Sequence, residues 1–372
     1  MNNETRKETQ VLPKDVRYVG ADDLTLPLFE NQYPVQPMGV SYNSYLILDE
    51  KVAVMDSVDA RAADEWLAKL AHELDGRRPD YLVISHMEPD HSGSILRLAE
   101  KYQEMKLVGN TKTFTMLRQF FGASAPANER LVEVGEGGTI SLGTHTLHFM
   151  LAPMVHWPEV MVAYEETEKL LFSADAFGRF GSLGRTANAP WAPQARRYYY
   201  NIVGKYGAQV QALLKKASAL EIKTVCPLHG PVLTGEALGE ALRLYDLWSR
   251  WQSEAPEEIL LAHASIHGNT ARAAELLKQK LEAKGARVTL CDLTTTEVSY
   301  AVANAFYCGK LVLACSTYDG GLFPPMEEFL SHLQAKGFRS RTVGLMENGS
   351  WAPAAARLMR AKLEEMKDLR VC

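Results

Sequence analysis

Short apolar runs recur through the first part of the chain and often lie back to back. "SYLILD" is followed at once by "VAVMDSV", and "LHFMLAP" by "VMVAYEE" and "KLLFSAD". Runs of this length and β-branched content read as strands. Amphipathic segments of helical period, "RAADEWLAKLAHEL" and "GSILRLAEKY", lie between them. Adjacent strand pairs with intervening helices predict two mixed sheets covered by helices, an α+β arrangement. An amphipathic helix over Thr234 to Trp251 then gives way to the polar, Pro-containing link "SEAPEE", with a new strand expected from Ile259. From there strand and helix alternate strictly. "EILLAHAS", "RVTLCDL", "KLVLACS" and "RTVGLME" read as strands, each followed by a helical segment such as "TARAAELLKQKLEAKG" or "PMEEFLSHLQAKG". That alternation predicts an α/β, doubly wound parallel sheet whose ligands sit at the carboxyl ends of the strands. The expected domains are 1–253 and 257–372. The second closes on "DLRVC", where a fifth strand begins without the helix that usually follows it. Either the chain is cut short here, or a dimer partner covers the sheet face left without that helix.

The length of 372 residues agrees with two domains. A net charge of −5 supplies no basic patch to attract nucleic acid or an anionic membrane. The N-terminal "MNNETRKETQVLPKDV" has no apolar stretch of the signal-peptide kind, and no apolar run approaches the length of a membrane span. The five cysteines, Cys226, Cys291, Cys308, Cys315 and Cys372, contain no C-x-x-C pair. A disulfide framework, a zinc ribbon, an iron–sulfur cluster or a rubredoxin-type site within this chain is therefore not expected. A reducing cytoplasm is the expected compartment, with all five thiols buried and inert.

Candidate chemistry concentrates in "VISHMEPDHSGS". His86, Glu88, Asp90 and His91 follow a strand and precede a helix, with Ser92 or Ser94 as the expected N-cap. Four potential ligands in six positions exceed what one ion needs, so a two-metal site is expected. Burying such a group of ionisable side chains at a strand end is costly without a metal. Three later strand ends offer further ligands: His156 in "APMVHWPE", Asp175 in "LLFSADAFG" and His229 in "VCPLHGP". His72, in a polar helical stretch, is expected to be solvated. His145, His148, His263 and His332 lack acidic or cysteine neighbours at ligand spacing and are read as non-ligands.

A second constellation lies in the alternating half. "SIHGNT" (Ser265, Ile266, His267, Gly268, Asn269, Thr270) is a hydroxyl- and amide-rich turn opening a helix. The backbone N–H groups and helix dipole there suit a phosphate. The turn has neither the G-x-G-x-x-G of dinucleotide sites nor a P-loop Gly-Lys pair. Ser316, Thr317, Tyr318, Asp319, Gly320 and Gly321 follow the third strand, and Glu347, Asn348, Gly349, Ser350 and Trp351 follow the fourth. A phosphate turn and two aromatic turns at successive strand ends describe an FMN site at a flavodoxin-type switch point.

The order H-x-[H/E]-x-D-H, then His, Asp and His, resembles the metallo-β-lactamase superfamily, whose members are αββα sandwiches. The whole chain resembles the flavodiiron proteins, which join such a domain to a flavodoxin-like one. "HWP", "SADAFG", the S-x-x-x-G-N-T turn and "STYDGGLFPPM" all match. The resemblance implies that His86, Glu88 and His156 hold one iron, that Asp90, His91 and His229 hold the other, and that Asp175 bridges them. It implies FMN on the three turns, and reduction of O2 to water, of NO to nitrous oxide, or of both. It further implies a head-to-tail homodimer, or a dimer of dimers, that brings the flavin of one copy to the irons of another. Electrons would come from a separate rubredoxin or a reduced deazaflavin. Hydrolytic relatives carry histidine where this chain has Glu88. A charged hard oxygen in place of a nitrogen favours an ion with a ferric state over zinc. His267 and Asp319 stand where the family often has other residues. Two alternatives remain at this point: a metal-dependent hydrolase with an attached flavodoxin module, and an electron carrier whose first domain is a scaffold.

Overall fold

A computed structural model describes residues 12–372. The polar stretch through residue 11, read above as lacking a signal-peptide core, lies outside the described residues. Two compact units form. The first runs to Tyr198 and resumes over Ala208–Tyr245, and the second consists of Tyr199–Gly207 and Asp246–Cys372.

The first unit is a sandwich of two six-stranded mixed sheets. One orders Val16–Tyr18, Tyr45–Leu48, Val52–Met55, Tyr81–Val83, Lys106–Gly109 and Leu131–Glu133. The other orders Thr139–Ser141, Thr146–Leu151, Met161–Glu165, Leu170–Phe172, Thr224–Cys226 and Leu233–Thr234. Period-two alternation decides which side chains meet between them. Leu147 and Phe149 are buried in one core cluster with Ile47, Met55, Val83, Val108, Met161, Ala163 and Phe172, while Thr146 and His148, which alternate with them, are half-buried. Met161–Glu165 is buried at every position, so both of its faces are covered. The two sheets are also joined directly, by the Met161 amide donating to the Ser85 carbonyl.

Strand direction assembles the chemistry. Leu170–Phe172 runs parallel to Thr224–Cys226 and antiparallel to Met161–Glu165, which in turn is antiparallel to Thr146–Leu151. The carboxyl ends of Thr146–Leu151, Leu170–Phe172 and Thr224–Cys226 therefore share one edge. In the other sheet, Val52–Met55 and Tyr81–Val83 are parallel and end together.

Two local expectations change. Ser94 occupies the N-cap position of Ile95–Lys101 but makes no side-chain cap bond; its hydroxyl donates to the Asp59 carbonyl instead. The Ser92 hydroxyl donates to the Met87 carbonyl. Both serines thus fasten the ligand-bearing loop rather than a helix. Cys226, Cys291, Cys308 and Cys315 are buried, but Cys372 is exposed, because it lies past the short strand Arg370–Val371.

The second unit is a five-stranded parallel sheet in the order Val288–Asp292, Ala255–Ala264, Cys308–Tyr318, Thr342–Asn348, Arg370–Val371. Numbered along the chain, this is 2-1-3-4-5, the flavodoxin-like doubly wound arrangement. Its first strand starts at Ala255, ahead of the expected Ile259, with a register irregularity between those two residues. Gly309 permits the close approach there, since a Cβ would stand 2.2 Å from the Pro256 carbonyl oxygen. Two features tie distant sequence into this unit. The buried Arg341 donates to the carbonyls of Phe306, Cys308 and Trp251 at 2.7–2.8 Å. Tyr200 stacks on Phe306 with ring centroids 4.0 Å apart and planes 12° from parallel.

Candidate metal centre and flavin turns

The loop after Tyr81–Val83 is anchored before it reaches the ligand residues. Asp56, at the end of Val52–Met55 and in a left-handed conformation (φ 57°), accepts from the Ser85 amide at 2.7 Å and the His86 amide at 3.4 Å. Burial pushes the Asp56 carboxyl up to about 6, against those hydrogen bonds. From this anchor the loop sends His86, Glu88, Asp90 and His91 toward the shared strand ends. There it meets His156, which follows a cis peptide bond from Val155, together with Asp175 and His229. All seven are more than nine-tenths buried.

The side chains converge as two groups. In the first, His156 Nε2 lies 3.0 Å from Glu88 Oε2 and 3.1 Å from Asp175 Oδ2, and His86 Nε2 lies 3.3 and 3.5 Å from the same two oxygens. In the second, Asp90 Oδ2 lies 3.3 Å from His91 Nε2 and 3.2 Å from His229 Nε2. Asp175 Oδ1 lies 3.2 and 3.7 Å from those same nitrogens. The Nε2 atoms of His91 and His229 face each other at 3.1 Å. Donors that share one ion at about 2.0–2.2 Å are held roughly 2.9–3.6 Å from one another, and all of these separations but the longest, 3.7 Å, fit that spacing. Three buried carboxylates and four imidazoles turned inward fit a pair of cations. Without metal, protons take their place. Burial alone would push His156 down, but its hydrogen bonds to Asp175 and Glu88 raise it to about 9. Burial would push both carboxyls up, but the His156 and His86 contacts hold Glu88, and the charges of His86 and His91 with the His156 hydrogen bond hold Asp175, below the usual carboxylate range.

Residues beyond the seven shape the centre. Glu159 Oε1 accepts from His86 Nδ1 at 2.7 Å and from the Met87 amide at 2.8 Å. His229 Nδ1 donates to the Ser41 carbonyl at 2.7 Å. A cavity of about 530 Å³ opens onto Glu88, Pro89 and Asp90, walled by Leu26, Leu28, Phe29 and Tyr42, with Glu30, Asn31, Asp59 and Arg61 also lining it. Glu30 hydrogen-bonds Glu88; desolvation, followed by repulsion from that carboxylate, pushes its carboxyl up to about 8. The fully buried Tyr198 hydroxyl has no hydrogen-bond partner among the described residues, and burial followed by the charges of Asp175, Asp90 and Glu88 raises it well above the usual phenol range. The sequence offered a signal for two of these residues: Asp56 is an acid ending an apolar strand, and Glu159 lies in the stretch that carries His156. Glu30 and Tyr198 gave none, because only the tertiary fold brings them near.

The remaining histidines lie elsewhere. His72 is exposed. The buried His145 pairs with Glu165 at 3.1 Å, and His148 with Glu166 at 2.8 Å. His263 lies 3.8 Å from Asp292.

In the second unit, the three turns meet around a cleft at the carboxyl ends of Ala255–Ala264, Cys308–Tyr318 and Thr342–Asn348. Ser265, Ile266, His267, Asn269 and Thr270 line it, with Ser316, Thr317, Asn348, Gly349 and Ser350. Gly268 takes φ 81° to turn the chain into the helix Asn269–Glu282, and the Arg272 amide donates to the Gly268 carbonyl in its first turn. The amides before it are available to an anion. The buried Ser265 hydroxyl has no hydrogen-bond partner among the described residues, which also fits a phosphate at this turn. Thr270 Oγ1 lies 2.8 Å from Ser316 Oγ and accepts from Asn348 Nδ2, so the turns are mutually fixed. Tyr318 and Trp351 are exposed, Trp351 by 72%. Asp319 (φ 48°), Gly320 and Gly321 form the tip of a hairpin in which Gly321 pairs with Tyr318. Glu347 does not line the cleft; its carboxylate accepts from the Ala356 amide in the next helix.

A sandwich with a paired metal-type cluster at its edge, followed by a flavodoxin-like sheet, defines a beta-lactamase-fold protein fused to a flavin module. Residues 40–230 match the family described as ODP family beta lactamase, and the chain belongs to that family, as a flavodiiron protein. It is 27% identical to a nitric oxide reductase of Moorella thermoacetica, over 95% of this chain and 88% of that protein. It is 26% identical to the rubredoxin-oxygen oxidoreductase of Megalodesulfovibrio gigas, over 94% of this chain and 87% of that one. The crystal structure of the flavodiiron protein from Giardia intestinalis superposes with a TM-score of 0.88 at 26% identity, covering 96% of this chain and 90% of that chain. The Moorella and Megalodesulfovibrio relatives carry oxidoreductase names, which favours redox chemistry over the hydrolase alternative.

Proposed function

We propose that this chain is an oxidoreductase that reduces O2 to water, NO to nitrous oxide, or both, at a non-haem diiron centre fed by FMN. The observation that carries the reading is Asp175: Oδ2 faces His86 and His156 while Oδ1 faces His91 and His229. One carboxylate addressing both groups is suited to bridge two ions. On this reading His86, Glu88 and His156 hold one iron and Asp90, His91 and His229 the other. The bound irons supply the electrons and open positions that O2 or NO requires. Every other part is played by the chain. Glu159 and the Ser41 carbonyl hold the Nδ1 protons of His86 and His229, leaving each Nε2 lone pair turned inward. Glu30 is placed to hold a proton beside Glu88, in a reaction that consumes protons. Apolar Leu26, Leu28 and Phe29 keep the approach to the centre partly dry.

In the second unit the 265–270 turn would hold the FMN phosphate, with Tyr318 and Trp351 available to the ring. A cavity of about 530 Å³ is more than a diatomic molecule needs. It would accept the edge of a flavin presented by a second copy, which supports a head-to-tail homodimer. No helix among the described residues is long and apolar enough to cross a membrane. The absence of any cysteine pair, with four of the five thiols buried, supports a reducing cytoplasm. The electron donor on this reading is of the rubredoxin type, or a reduced deazaflavin.

The test is anaerobic reduction of protein with quantified iron and FMN, followed by separate assays of O2 and NO consumption. Consumption that disappears on iron removal and returns on reloading supports the proposal. Full activity in iron-free protein would overturn it.

A further inference from the structure

The imidazoles of the centre are supported unequally. His86 Nδ1 meets a carboxylate, Glu159 Oε1, at 2.7 Å. His229 Nδ1 meets a neutral carbonyl, that of Ser41, also at 2.7 Å. His91 Nδ1 is buried with no hydrogen-bond partner among the described residues. A carboxylate behind a ligating imidazole makes its inward nitrogen a stronger donor; a carbonyl does so less, and no partner not at all. Glu159 is also held firmly. It is 1% exposed, its Oε1 takes the Met87 amide, and the Asn110 side chain donates to its backbone carbonyl at 2.6 Å. Its second oxygen, Oε2, is buried with no hydrogen-bond partner among the described residues, so no donor among them draws its charge away from His86.

We infer that Glu159 is a positioning residue that makes the two metal positions unequal. The position faced by His86, Glu88 and His156 retains its ion, and the position faced by Asp90, His91 and His229 releases its ion first. This inference rests on the ligand set proposed above. Glu159 acts through His86 and touches neither ion nor substrate. It adds negative charge behind one position only, and it fixes the His86 tautomer that turns Nε2 toward Glu88 and Asp175.

The experiment follows iron leaving the intact, fully loaded protein into excess of a chromogenic ferrous chelator under anaerobic conditions, with Mössbauer spectra of partly stripped samples. The wild type is expected to lose its iron in two phases of equal amplitude. In E159Q, which keeps the shape but removes the charge, the slow phase should quicken by roughly 10–100-fold while the fast phase holds. E159D, which restores the charge, should recover the slow phase. The Mössbauer doublet that survives partial stripping should be the one displaced in E159Q, a signature that a merely structural loss would not confine to one iron. Release of two bound irons in a single phase by the wild type, or an E159Q slow phase equal to the wild type's, overturns the inference. A wild type that binds no iron overturns the ligand assignment instead, so the two failures are distinguishable.

Discussion

Glu88 lies between two imidazole nitrogens, 3.3 Å from His86 and 3.0 Å from His156, with its carboxyl held well below the usual range. A histidine there would offer a neutral nitrogen and leave the first group with Asp175 as its remaining anion. Glu88→His is therefore expected to cut iron retention by about tenfold or more, since even outer-shell changes cost that much, and to lower reductase activity with it. Elemental analysis beside turnover checks this, and normal iron content with normal turnover would remove the role assigned to Glu88. His156 gives a prediction in pH. Its raised pKa, about 9 against an ordinary 6.5, means that in metal-free protein its proton contributes stability that is complete below about 6.5 and lost as pH rises through about 9. Metal must displace that proton, so iron affinity should climb with pH up to about 9, with proton release on loading. Calorimetry in buffers of different ionisation enthalpy measures the release. The seven ligand candidates were legible because ionisable groups at strand ends are hard to bury without a reason. Glu30 and Tyr198 were not, since nothing local marks a side chain that arrives from elsewhere in the fold.

At the scale of elements, hydrophobic alternation located the strands, but hydroxyl chemistry misled. Ser94 stands at the N-cap of Ile95–Lys101 and Ser92 ends the short helix Pro89–Ser92, yet their hydroxyls donate to the carbonyls of Asp59 and Met87. The reverse holds at Thr317, read from sequence only as part of a flavin turn. Its Oγ1 accepts from the Ala354 and Ala355 amides and so serves the helix Ala355–Glu364, whose N-cap residue, Ala354, makes no side-chain bond of its own. Thr317→Val keeps the shape and removes the acceptor. Unfolding in denaturant should show a loss of about 1 kcal/mol, the usual cost of a lost cap. An unchanged midpoint would mean water replaces the hydroxyl without penalty. Which oxygen a hydroxyl or amide meets is decided by tertiary approach, so such details were beyond the linear pattern.

For the whole molecule, the switch from paired strands to strict alternation revealed two architectures. The separate clusters around Phe149 and Phe172, and around Leu261, Ala274 and Ala314, show why each has its own core. A group bound by one core stabilises that core, by about 2.7 kcal/mol when its concentration is a hundred times Kd. Scanning calorimetry should therefore show two transitions, with chelation lowering one and flavin removal the other. A single transition that responds to both would mean the units unfold as one. The sequence pattern placed the seam at a link near residue 255, because periodicity registers where elements change and not which distant segment packs on them.

Tyr200 on Phe306 makes the flavin unit discontinuous along the chain, and the Trp251 carbonyl on Arg341 shows that its longer piece begins ahead of residue 257. It follows that no single cut releases it whole. A fragment cloned from residue 257 would strip Arg341 of an acceptor and leave Phe306 facing water where an aromatic ring had lain. Such a fragment should express poorly or self-associate, and supplying residues 199–207 through a fused linker, with the start moved back to 246, should restore a monodisperse flavin-binding protein in size-exclusion chromatography. For whoever divides this gene, the useful border is a patchwork of segments and not a point.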